Sequence, residues 1–245
     1  MTNAELIKLW EAEESYAFQG WDFSHIEKRW ESPELTWDYR KIVKSYLKDT
    51  DSLLDLGTGG GEVLLTLNHP YENTYVTEAY LPNYELCQKV LSPLGITVRR
   101  TYTDEKLNSD DTIPFDDKFF DVVINRHESF DLAEVRRVLK PGGYFITQQV
   151  GANNLSDIER RLNDGFTLQD KFPDHTLQKY TDKLRALGFD LIKSEEATYS
   201  VKFHDVGAVV FYAKIIAWAF PNFSVKTHID KLMDCQREVM ENGFV

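Results

Sequence analysis

The run Leu53-Leu54-Asp55-Leu56-Gly57-Thr58-Gly59-Gly60-Gly61-Glu62 restricts the possible folds more than any other part of the chain. An apolar stretch broken by one carboxylate and closed by glycines reads as a buried parallel strand entering a tight turn, after which Val63-Leu64-Leu65 begin a helix. Glycine suits the turn because it adopts positive φ and, having no Cβ, lets a ligand lie against the main chain. A dinucleotide fingerprint starting at Gly57 would need Gly or Ala where Glu62 stands, and that charge would face a pyrophosphate at the helix N-terminus. A P-loop would need Gly-Lys-Ser/Thr after the glycines, and none follows.

A second acid stands in register with the turn. Thr74-Tyr75-Val76-Thr77-Glu78 reads as a strand ending in a carboxylate 21 residues after Gly57, about where a doubly wound sheet places the acid that receives ribose hydroxyls. Strand and helix signals then alternate, the pattern of a mostly parallel sheet with helices on both faces. Strands are expected at 52–56, 74–79, 96–102, 119–125 and 144–150, with helices at 61–68, from Pro82 to Pro93, and from Leu132 to the Lys140-Pro141-Gly142-Gly143 stop. Before this core, helices are expected near 3–17 and 36–48. After it come helices near 155–163 and 175–187, a strand near 189–201, and helices at 206–218 and 224–241. The division expected is an N-terminal helical extension over 1–48 and a Rossmann-like α/β domain over 49–245, with a helical addition after about 202. No antiparallel final strand is evident after the last helix.

Ligands of open α/β sheets bind beyond the carboxyl ends of the strands, so Asn125, Arg126, His127 and Glu128, crowded at the end of an apolar strand, should face the pocket. Gln148 and Gln149 end the neighbouring strand, and a half-buried glutamine needs partners that a polar ligand can supply.

Composition sets the remaining bounds. The net charge of −12, with 28 Lys and Arg against 40 Asp and Glu, argues against a nucleic-acid ligand, because phosphate neutralisation needs a clustered basic surface. Arg99-Arg100, Arg136-Arg137 and Arg160-Arg161 read as ordinary surface pairs. Cys87 and Cys235 lie too far apart in sequence for a disulfide framework and lack metal-site spacing, so packed thiols in a reducing cytoplasm are expected and no metal. No apolar run of ~18 residues suggests a membrane span, and the Met-Thr-Asn-Ala-Glu start lacks the features of a signal segment.

Asp55-Leu56-Gly57-Thr58-Gly59-Gly60-Gly61 resembles motif I, Asp/Glu-x-Gly-x-Gly-x-Gly, of the class I S-adenosylmethionine-dependent methyltransferases. The Pro114-Phe115-Asp116-Asp117 approach to the fourth strand and Val138-Leu139-Lys140-Pro141-Gly142-Gly143 resemble further segments of that family, over roughly residues 50–150. Residues 57–62, 125–128 and 147–151 look like a bacterial subgroup of these enzymes, with a more distant similarity to ribosomal RNA guanine methyltransferases. The resemblance implies S-adenosyl-L-methionine as cofactor, held by Asp55, Gly57, Thr58, Gly59, Gly61, Glu78 and Ala79, with Asp104 at the adenine amino group and Asn125 at the methionine end. Asp111 competes with Asp104, because the link to Ile113-Pro114-Phe115 is longer than the family's. It also implies an N-terminal lid, with Trp37 and Tyr39 joining Arg126, Gln148 and Gln149 on the acceptor side, and His127 and Glu128 as the candidates for proton transfer. A small-molecule methyl acceptor is expected, while RNA methylation and non-catalytic cofactor binding stay open.

Overall fold

The computed structural model describes residues 1–101 and 112–245. In chain order its elements are α1 (Asn3–Glu14), β1 (Trp30–Glu31), α2 (Tyr39–Tyr46), β2 (Leu53–Leu56), α3 (Glu62–Leu65), β3 (Thr74–Glu78), α4 (Leu81–Val90), β4 (Thr97–Arg100) and β5 (Phe120–Arg126). Then follow α5 (Leu132–Val138), β6 (Leu139–Gln148), α6 (Ser156–Leu162), α7 (Leu168–Lys171), α8 (Leu177–Ala186), β7 (Lys202–Phe203), α9 (Val206–Ile215) and α10 (Ile229–Asn242).

β2 is the axis of the main sheet. All four of its residues are buried, and it pairs in parallel with β3 on one side and β5 on the other, giving the order β4-β3-β2-β5-β6. The chain winds outward from β2 in one direction and then, through β5, in the other, so the switch point lies between β2 and β5, where such sheets open a crevice. Successive side chains point to opposite faces, and each face has its own core. Leu53, Val76, Val122 and Ile124 pack with Tyr39 and Val43 of α2, Leu64 of α3 and Cys87 of α4. Leu54, Leu56, Phe120 and Val123 pack with Val135 and Val138 of α5. The α/β, Rossmann-like doubly wound expectation is therefore met.

A third core joins the two ends of the chain. Trp10 of α1 and Ile26 cluster with Leu162, Phe203, the buried face of α9 and Leu232 of α10. β1 pairs antiparallel with β7 in a separate two-stranded ribbon. Arg29 spans the junction, donating to Glu13 at 2.7 Å and through two nitrogens to Asp205, the N-cap of α9, at 2.6 and 2.8 Å.

Some expectations are corrected. The strand anticipated near 189–201 is not formed: the segment has no regular structure, most of it is exposed, and among the described residues β6 pairs with β5 alone. Among the described residues the main sheet has five strands, all parallel, and 206–215 is the expected helix. Lys140-Pro141-Gly142-Gly143 does not separate helix from strand. β6 pairs at Leu139 with Phe120, turns through Gly142 at φ +78°, and pairs again from Tyr144 with Val122 across an irregularity. Helix α3 is a single turn rather than the eight residues anticipated, since Asn68 takes φ +56° and ends it.

Candidate active site

The turn after β2 is built on its neighbour strand. Gly57 and Thr58 donate their N–H groups to the Thr77 carbonyl of β3 at 3.0 and 3.2 Å, and Gly57 adopts φ +68°. The Gly59 carbonyl accepts from the Cys87 thiol at 3.0 Å, so Cys87 props the turn from beneath; burial pushes that thiol up to about 12 and keeps it inert. A Cβ built on Gly57 would stand 2.2 Å from Glu128 Cγ, and one on Gly60 would stand 2.3 Å from Glu62 Oε1. Bare main chain thus lies under two carboxylate side chains. Beside it an open, shallow cleft is lined by Leu56, Gly57, Ala79, Thr101, Ile113, Glu128 and Phe130.

Carboxylates dominate the electrostatics. Glu78, 3% exposed, accepts from the Gly59 N–H at 2.9 Å through one oxygen and from the Tyr80 N–H at 3.0 Å through the other. Burial raises it to about 7 against the opposing pull of those bonds. Asp55, 7% exposed, is likewise raised to about 7, mainly by burial and further by Glu78, while the nearby Thr58 hydroxyl favours its ionised form. That hydroxyl is itself buried and closes no hydrogen bond of good geometry. Glu62 accepts from the Gly60 N–H at 3.0 Å and from the Trp21 N–H at 3.4 Å, bringing residues 20–21 onto the turn, and Trp21 stacks on Trp218.

The other side of the switch point is a hydrogen-bonded amide layer. Asn125 is fully buried; its Nδ2 donates to the Leu56 carbonyl at 3.0 Å and its Oδ1 accepts from Thr147 and Gln149. Gln149 also donates to Thr147 Oγ1 at 2.9 Å, so both amides brace β2, β5 and β6. Tyr39 is a core residue whose hydroxyl donates to the Asn125 carbonyl at 3.1 Å, and burial raises its pKa. Trp37 donates to Gln148 Oε1 at 2.9 Å, and Gln148 Nε2 meets His127 Nε2 at 3.2 Å. His127 takes φ +63°, its N–H bonded to the Gln148 carbonyl at 3.0 Å. Burial, and secondarily the Arg126 charge, lower its imidazole to about 4. Glu128 is raised by burial.

Of the residues expected in the site, Asp55, Gly57, Thr58, Gly59, Gly61, Glu78 and Ala79 surround the turn and cleft, and Arg126, His127, Glu128, Trp37 and Gln148 gather at the ends of β5 and β6. Asn125, Gln149 and Tyr39 lie beneath them. Asp104, with its rival Asp111, lies outside the described residues. Sequence reasoning missed Trp21, Thr147 and Cys87 as parts of the site. Their positions follow from tertiary packing, and only the aromatic density around Trp21 hinted at one of them. Among the described residues no group of His, Cys, Asp and Glu is arranged to hold a metal, and no helix is long and apolar enough to cross a membrane.

A parallel sheet wound 3-2-1-4-5, a glycine turn after its central strand and an acid ending the next define an adenosyl-ligand fold of the methyltransferase type. The comparisons agree: residues 54–147 match the family model described as Methyltransferase domain, so this part of the chain is similar to the methyltransferases. An uncharacterized methyltransferase of Schizosaccharomyces pombe is 33% identical over 132 residues, 47% of this chain and 44% of that protein. The phthiotriol/phenolphthiotriol dimycocerosates methyltransferase of Mycobacterium tuberculosis is 36% identical over 106 residues, 40% of this chain and 36% of that one. The chain therefore spans less than half the length of these curated relatives. A crystal structure of a putative methyltransferase from Bacillus halodurans aligns over 85% of this chain and 92% of its own, with 17% identity and a TM-score of 0.49. The cofactor of the family is S-adenosyl-L-methionine, and the residues here suit it. The turn is bare, the buried Thr58 hydroxyl closes no hydrogen bond of good geometry among the described residues, and four carboxylates surround a place for a ligand with two cationic centres and no phosphate.

Proposed function

We propose that this protein transfers a methyl group from S-adenosyl-L-methionine to a small-molecule acceptor. The observation that carries the proposal is the glycine turn set between two buried carboxyls, Asp55 and Glu78, each held near neutrality in pKa and ready to ionise beside a cation. Glu78 would receive the ribose diol, Asp55 the ammonium, and Leu56, Ala79, Thr101 and Ile113 the adenine face. When bound, the cofactor supplies an electrophilic methyl on sulfur, so the protein's tasks are alignment and exclusion of water.

The chain's own residues divide those tasks. Trp21, anchored through Trp218 and bonded to Glu62, acts as the lid over the turn. Glu128 would swing off Gly57 as the ligand enters and serve as proton acceptor, because burial makes it more basic than an ordinary carboxylate. His127 is the weaker base, with a lowered pKa and its Nε2 engaged by Gln148. An RNA acceptor is disfavoured because the arginine pairs are committed: Arg137 to Glu134 and Asp117, Arg160 to Asp157, Arg161 to Glu238, and Arg99 to the Pro114 carbonyl.

Calorimetry with S-adenosylhomocysteine tests cofactor binding, and a metabolite extract supplied with methyl-labelled cofactor tests transfer. Gly57→Val, which forces a branched side chain into positive φ and against Glu128, is expected to abolish binding. Undiminished affinity in that variant would exclude the turn as the cofactor site.

A further inference from the structure

The end of β5 presents donors that none of the described residues accepts. An indole N–H only donates, so the 2.9 Å bond from Trp37 fixes Oε1 of Gln148 on its side and turns Nε2 toward His127. An amide nitrogen has no lone pair to offer, so His127 Nε2 must be the acceptor of that 3.2 Å bond, and the ring proton of the neutral imidazole sits on Nδ1. Among the described residues Nδ1 has no hydrogen-bond partner. Arg126, the preceding residue, is half-buried, and its guanidinium makes neither hydrogen bond nor ion pair with any described residue. It senses Tyr39, Arg40, Asp55 and Tyr199 only at a distance, and Asp55 is itself held back from ionising. A half-desolvated guanidinium without an acceptor is costly, and a neighbouring ring N–H without one adds to the cost.

We propose that Arg126 and the Nδ1–H of His127, the latter fixed in that tautomer by Trp37 and Gln148, form a receptor for a carboxylate on the methyl acceptor. The proposal deepens the methyltransferase reading and rests on it. The guanidinium fork matches a carboxylate's two oxygens, and one positive charge suits a monoanion. The receptor lies beside β6, on the side of β2 away from Glu78. A cofactor gripped at Glu78 and laid across Gly57–Gly61 would meet it only with its reacting end, leaving the ground beyond to the acceptor. Trp37 and Gln148 are positioning residues here; Arg126 and His127 touch the ligand.

Two measurements on the full chain saturated with S-adenosylhomocysteine test this. In ¹⁵N-histidine correlation spectra, with His127→Gln for assignment among the six histidines, His127 is expected as the Nδ1–H tautomer. Gln148→Glu, which places a carboxylate between Trp37 and the ring, is expected to move the proton to Nε2, while the other histidines report an intact fold. An Nε2–H ring in the unaltered chain, or a ring indifferent to Gln148→Glu, overturns the relay. Titration with benzoate against benzamide, and hexanoate against hexanamide, is expected to favour the acids by about tenfold or more. Arg126→Gln should erase that preference and Arg126→Lys keep part of it. Acids bound no better than amides overturn the receptor. So does an Arg126→Gln variant that loses about tenfold in S-adenosylhomocysteine affinity but none for methylthioadenosine, which lacks the carboxylate, because the guanidinium would then serve the cofactor's own tail. An unaltered chain that binds no S-adenosylhomocysteine is a different failure, that of the methyltransferase reading itself.

Discussion

Asp55 and Glu78 differ from most carboxyls of this acidic chain in being buried where ionisation is disfavoured. Both are raised to about 7, burial being the main cause for each. An unfolded chain gives up these protons near pH 4, whereas the folded chain holds them until about 7. Their contribution to stability is thus full below pH 4 and is lost as pH rises through 7, at most about 1.4 kcal/mol per pH unit for each group. Asp55→Asn should therefore stabilise the ligand-free protein more at pH 8 than at pH 5, measured as the difference in urea midpoint against the unaltered chain. A ligand carrying an ammonium reverses the preference, since it favours the ionised carboxylate. Binding of S-adenosylhomocysteine near pH 7 should release protons, seen as calorimetric heats that scale with buffer ionisation enthalpy, and Asp55→Asn should reduce the number released. Unchanged proton release in that variant would remove Asp55 from the ammonium site.

At the scale of elements, the N-terminal segment packs on the helices that follow the α/β core. Thr2 and Glu5 form a capping box for α1, Trp10 anchors it, and Arg29 ties Glu13 at its last turn to Asp205 at the first of α9. Trp10→Ala should cost about 3–5 kcal/mol as a large core truncation. Arg29→Ala should cost about 2 kcal/mol, less than a fully buried pair because the side chain remains 27% exposed. Urea unfolding measures both, and a change within 0.5 kcal/mol for Trp10→Ala would mean that α1 is not part of the cooperative core. This junction was invisible in sequence, because it joins residues 10–30 to 158–232 and no local pattern encodes so distant a pairing. The sheet was legible for the opposite reason. β2 and β5 carry largely apolar runs that two-sided burial explains, and β3 and β5 each end in a charged residue at the crevice. The stretch 189–201 shows the limit of such inference: Phe189, Leu191 and Ile192 supply strand-like composition, but a strand also needs a partner, and β6 offers none there. Within the site, glycines and acids were readable because their chemistry is local to the turn. The buried commitments of Asn125, Gln149 and Tyr39 were not, because whether an amide or hydroxyl faces a ligand or a backbone carbonyl depends on what the neighbouring strand presents.

For the whole molecule, the net charge of −12 acts on every ligand that approaches the crevice. S-adenosylmethionine carries one net positive charge from its sulfonium, while the demethylated product is a zwitterion with none, yet the two are otherwise nearly the same size and shape. The field of the protein therefore separates them at long range, and it does so in proportion to the Debye length, about 30 Å at 0.01 M salt and about 8 Å at 0.15 M. Association of the methyl donor should slow by about twofold to fivefold between those concentrations, whereas association of the product should hardly change. Stopped-flow fluorescence can follow both through Trp21, which lies on the glycine turn. The carboxylates around the turn, Asp55, Glu62, Glu78 and Glu128, lie where that field is focused, so neutralising a remote pair such as Asp234 and Glu238 should change the salt slope less than Glu62→Gln does. Equal salt dependence for donor and product would mean that the acidic surface plays no part in choosing the cofactor, leaving the short-range carboxyls of the turn to discriminate alone.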